Sequence, residues 1–120
     1  NMILSYEFHS HTLTDTDQST VQLLRDVADP HVKSCWQIST DRAPEPSLKA
    51  MLPWLSNIHV FYWKGGKRLM LSKGARIWLR LLPMIRSTGR DHSAMIEFVK
   101  ANTPDNFLKD AETLKKFLSV

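Results

Sequence analysis

Four times in 120 residues, a short run of strand-forming character gives way to a run with apolar residues at helical spacing. The period is about 30 residues, the length of a strand–helix–strand unit. Such alternation predicts an α/β fold with a parallel sheet, because parallel neighbours need a long crossover and a helix supplies it.

Residues 2–9 (MILSYEFH) alternate. Leu4, Tyr6 and Phe8 fall on one face; Ile3, Ser5, Glu7 and His9 fall on the other. After a loop at 12–15, Val21, Leu24 and Val27 mark a helix that Asp29-Pro30 ends. The second strand is read over 31–37 (HVKSCWQ). A polar loop with Pro44 and Pro46 leads to a short helix over 47–55, with Ser47 as its cap and Pro53 as its limit. The third strand is read over 57–63 (NIHVFYW), rich in β-branched and aromatic residues. Lys64-Gly65-Gly66-Lys67 makes a turn, and a helix follows over 72–86 that Pro83 should kink or shorten. The fourth strand is read over 93–99 (SAMIEFV). In the last helix Phe107, Leu108, Ala111, Leu114, Phe117 and Leu118 form one stripe.

The length suits a single domain, 1–120. Right-handed crossovers with sequential strand order place every helix on one face of the sheet. The expected architecture is therefore four βα units, half of a (β/α)8 TIM barrel, whose complete form needs about 250 residues. An isolated half has two bare edges and an uncovered inner face, so either the chain pairs with a copy of itself, or it is a fragment, or its strands are reordered with helices on both faces; of these, completion by dimerisation into a homodimer is expected. A composition of 42% apolar and 23% charged residues excludes a disordered chain. No apolar run approaches the roughly 20 residues of a membrane span, and Glu7 and Asp15 argue against a signal peptide. The single cysteine, Cys35, excludes an intrachain disulfide and a cysteine-based zinc module, and a cytoplasmic location is expected. A net charge of +4 permits a polyanionic partner without requiring one.

Each predicted strand carries a polar, metal-competent residue near its C-terminal end: Glu7 and His9, then Gln37, His59 and Glu97. That end of the strands is where a barrel places its chemistry. Two carboxylates, an imidazole and an amide oxygen suit a divalent cation, Mn²⁺ or Mg²⁺ first, Zn²⁺ or Co²⁺ next. Alternation puts Trp63 on the face of His59, as a wall for a sugar ring or as core. Cys35 shares the inner face with Gln37 and has no base beside it in sequence, which marks a structural thiol.

The segments YEFHSHTLTDT, VADPHVKSCWQ, LPWLSNIHVFYW, MIEFV and FLKDAETLKKFL resemble the C-terminal half of the sugar phosphate isomerase/epimerase family, the xylose isomerase-like TIM barrels. The resemblance covers essentially the whole chain. It implies Glu7, Gln37, His59 and Glu97 as metal ligands, with Glu7 and Glu97 as the acid/base pair. The implied activity is metal-assisted proton transfer on a sugar or sugar phosphate through an enediolate. His9 is then a substrate contact. The family commonly has Asp where Gln37 stands. It also has an Arg shortly after the third-strand His, a place that Lys67 or Arg68 would fill as a phosphate or hydroxyl contact. Two other readings compete. One is a non-catalytic, self-associating half-barrel or binding module, favoured by the absent first half. The other is a DNA-repair endonuclease on the same barrel, disfavoured because no Asp or His follows His59 in its loop.

Overall fold

Strand order in space follows strand order in the chain. The computed structural model describes residues 2–39 and 42–120. Its elements are β1 (Leu4–Glu7), α1 (Asp17–Val27), β2 (Val32–Gln37), α2 (Pro44–Met51), β3 (Leu55–Val60), β4 (Tyr62–Lys64), β5 (Lys67–Leu69), α3 (Ala75–Arg86), β6 (Ser93–Ile96) and α4 (Pro104–Leu118). The main sheet has the order β1-β2-β3-β6, and every pair in it is parallel. The helices line up along one face, α1 on α2, α2 on α3 and α3 on α4. This is the arrangement of half a β/α barrel.

The helical face of the sheet holds the core. Trp36 from β2 and Trp78 from α3 are fully buried and meet edge to face, with centroids 6.4 Å apart. Leu48, Met51, Ile58, Val60 and Leu81 fill the space around them. Each buried side chain of this size contributes about 1.5–3 kcal/mol. Both indoles find acceptors: Trp78 Nε1 donates to Phe61 O at 3.0 Å, and Trp36 Nε1 donates to Ser47 Oγ at 3.0 Å.

That last bond corrects the reading of Ser47 as a helix cap. α2 begins three residues earlier, with Pro44 at its first helical position and Ala43 as cap. Proline is tolerated there because the missing N–H has no intrahelical acceptor. Ser47 lies inside the helix, buried, and its hydroxyl donates to Asp17 Oδ1 at 2.8 Å. α1 is capped by Thr16, whose hydroxyl accepts from Ser19 N while the Ser19 hydroxyl accepts from Thr16 N. Pro83 does not shorten α3, which runs on to Arg86.

Two further expectations are corrected. The run 57–63 is not one strand. β3 ends at Val60, and Tyr62–Lys64 pairs antiparallel with Lys67–Leu69 in a separate hairpin. Gly65 and Gly66 both have positive φ, 56° and 71°, as a two-residue hairpin turn demands. In α4 the buried positions are Asp110, Leu114 and Phe117, whereas Phe107, Leu108 and Leu118 are exposed. The stripe predicted from apolar residues alone is turned because Asp110 enters the interior to accept the Leu71 N–H at 2.9 Å. Among the described residues no helix is long and apolar enough to cross a membrane.

Candidate metal centre

The inner face of the sheet is the face the helices do not cover. Alternation places Ser5 and Glu7, Cys35 and Gln37, Asn57 and His59, and Met95 on it. The ladder register sets Glu7 beside Cys35, Gln37 beside His59, and His59 beside Met95. Glu97 stands one residue past the end of β6, one pleat above Met95. Parallel register thus brings the C-terminal ends of all four strands to one rim.

At that rim three oxygens converge on one nitrogen. His59 Nδ1 lies 3.3 Å from Glu97 Oε2, 3.5 Å from Gln37 Oε1 and 3.8 Å from Glu7 Oε1. A ring nitrogen donates at most one hydrogen bond, so hydrogen bonding to His59 does not account for three oxygens. Ligand atoms of Glu7, His59 and Glu97 all lie within 4.8 Å of one another. Ligands of a divalent ion at about 2.1 Å stand roughly 3–4 Å apart, so the donor set fits such an ion.

The electrostatics agree. Burial pushes the Glu97 carboxyl up from its ordinary range; His59 pulls it down, Glu7 pushes it up again, and His9 pulls it down. Two carboxylates drawn together in a partly desolvated place repel, and a cation between them removes that cost. Cys35, buried below the rim, has its thiol pushed up to about 11 by burial and then by Glu7 and Glu97.

A cleft of about 320 Å³ opens beside the cluster. Gln37 and His9 line it next to the ligands, Arg42 and Asp15 stand in its wall, and Phe8, Phe61, Trp63 and Phe98 make an apolar side. Trp63 reaches it from the hairpin, not by alternation along β3. Its indole Nε1 is buried and meets no acceptor among the described residues. His9 turns its Nδ1 to the Ser10 carbonyl at 3.0 Å. Lys67 and Arg68 do not line this cleft: Lys67 is exposed near the hairpin turn, and Arg68 stacks on Trp63 and Phe98. Arg42, which donates to Asp15 O at 3.0 Å, was not singled out by sequence. It sits in a loop without periodicity, and no sequence signal marks it.

No family model matches the sequence. The chain is similar to a dehydratase. A 3-dehydroshikimate dehydratase from Bacillus anthracis is 29% identical over 130 aligned residues, which cover 88% of this chain and 45% of that protein. The chain therefore spans less than half the length of this curated relative.

Proposed function

We propose that this chain is the metal-binding half of a xylose isomerase-like barrel enzyme that removes a proton from carbon next to a carbonyl in a small polyhydroxylated compound. The observation that carries this reading is the convergence of Glu7, Gln37 and Glu97 oxygens on His59 Nδ1 at one rim. These four residues would hold a divalent cation, Mn²⁺ or Mg²⁺ by their hard oxygen character. Such an ion supplies electrostatic stabilisation to the negative charge that grows on a carbonyl oxygen as the neighbouring C–H is broken.

Glu7 and Glu97 are the proton-transfer pair. Glu97, the less exposed of the two and the nearer to His59, takes the role of base. His9 at the cleft rim and the Trp63 wall orient the substrate. Donation of a proton by the second group, held as the carboxylic acid, to the same or the neighbouring carbon gives epimerisation or isomerisation of a sugar or sugar phosphate. Loss of a neighbouring hydroxyl instead gives dehydration, a reading favoured by the likeness to a dehydratase. Both outcomes begin with the same proton removal.

Among the described residues, no strand pairs with the outer edges of β1 and β6. In the same proposal a second copy completes the barrel, with β6 of each copy beside β1 of the other. The test is Mn²⁺ titration followed by electron paramagnetic resonance, together with exchange of substrate C–H for deuterium in heavy water. Binding of Mn²⁺ and deuterium incorporation by the wild type, both lost in Glu97→Gln, are expected. A wild-type chain that binds no Mn²⁺ overturns the reading.

A further inference from the structure

Glu97 follows an edge strand and lies beyond its last ladder residue. Its N–H donates to Val60 O at 3.4 Å, a long hydrogen bond that carries the β3–β6 pairing one residue past the strand. The sheet thus sets the face on which Glu97 stands, but holds its backbone by this one long bond. The residues after it are held much harder. Phe98 packs edge to face on Phe61 at 5.2 Å and on Trp63 at 5.4 Å. The Arg68 guanidinium covers the outer side of this cluster, 4.6 Å from the Phe98 centroid and 5.2 Å from that of Trp63. Its Nη1 donates to Asn102 Oδ1 at 2.5 Å. Ala101 and Asn102 both take positive φ, 57° and 50°. The loop is tied within itself by Asn106 Nδ2, which donates to Lys100 O at 2.8 Å, and from outside by Arg68.

We propose that Arg68 is a positioning residue for Glu97: by clamping Phe98 and Asn102 from the β4–β5 hairpin, it fixes residues 97–102 so that the carboxylate meets His59. The inference rests on the metal-site reading and adds to it a residue that touches none of the ligands. A planar guanidinium is needed, since one group must stack on two rings and also donate sideways to Asn102. Lysine keeps the charge but loses the plane. The hairpin is then part of the site's frame, and its insertion after β3 has a purpose beyond connecting β3 to α3.

The experiment compares the wild-type chain with Arg68→Met, Arg68→Lys, Asn102→Ala and the Arg68→Met/Asn102→Ala double variant. Three quantities are measured: Mn²⁺ affinity, backbone amide exchange over 97–102 in the metal-free chain, and unfolding in urea. Arg68→Met is expected to weaken Mn²⁺ binding about tenfold, the lower end of what support around metal ligands is worth. Exchange over 97–102 should rise without a general rise elsewhere, and Arg68→Lys should restore only part of either. The double variant should match Arg68→Met, because both changes cut the same tie. Should Arg68→Met fail to fold, Arg68→Lys, which keeps the charge and most of the stem, carries the test on its own. Unchanged affinity or unchanged exchange in folded variants overturns the clamp. If the wild type binds no Mn²⁺, the functional reading falls, and the exchange data alone decide whether Arg68 holds Glu97.

Discussion

Glu7 Oε1 comes within 3.8 Å of His59 Nδ1 although β2 lies between their strands. Two strand spacings separate the backbones, about 10 Å. Only a long side chain crosses that distance, and the short Cys35 beside Glu7 in the ladder leaves the way open. Gln37 approaches His59 from directly across the ladder and Glu97 from the far side, which makes the four side chains one unit.

Replacing Gln37 by Asp adds a third carboxylate to this unit. Charge count sets cation affinity, so Gln37→Asp is expected to bind Mn²⁺ roughly tenfold more tightly. Without metal the extra charge repels Glu7 and Glu97, so the metal-free variant should unfold at lower urea. Unfolding curves with and without Mn²⁺ check both signs. A variant that binds Mn²⁺ no better than wild type places Gln37 outside the ligand set.

Asp110 gives a pH dependence that can be worked out in sign. Burial pushes its carboxyl up, and the Leu71 N–H only partly offsets this. The native chain therefore holds the proton more tightly than the unfolded chain. Its contribution to stability falls as pH rises from the unfolded value to the folded one. Asparagine keeps the acceptor for Leu71 and has no charge to bury. Asp110→Asn should gain on the wild type in urea stability as pH rises above the ordinary carboxyl value of 3.8. A gap that does not change with pH would contradict this.

Cys35 should be unreactive in the folded state. With its thiol pushed up to about 11, little thiolate exists at neutral pH, and the side chain is buried. Alkylation at about pH 8 is expected to be roughly a hundredfold slower than in the urea-unfolded chain. Equal rates would mean that the inner face opens freely.

Ser47→Ala removes the acceptor of the fully buried Trp36 N–H and the link onward to Asp17. An unpaired buried donor costs about 1–3 kcal/mol. Urea unfolding should show a loss in that range, and a loss near zero would show that the indole finds another acceptor.

The proposed pairing of copies sets a mass. Light scattering on a sizing column should return twice 13.8 kDa. A folded monomer would rule out completion of the barrel by a second copy.

The periodicity determined a good deal on its own. Alternation in 2–9, 31–37 and 93–99 located β1, β2 and β6, and the strand ends it marked are where Glu7, Gln37, His59 and Glu97 stand. Strand period fixes which face a side chain takes, and the parallel crossover fixes which ends share a rim, so the candidate site was legible before any coordinate. The rest depended on contacts between distant segments. Whether Ser47 caps a helix or ties Trp36 to Asp17 rests on which indole lies above it. Whether Phe107 or Asp110 faces inward rests on an N–H at Leu71 that needs an acceptor. That the strand breaks at Phe61, and that Arg68 folds back over Phe98, follows from a hairpin packing on a loop far along the chain. Local pattern encodes direction along an element; which partner waits there is decided only when the elements meet.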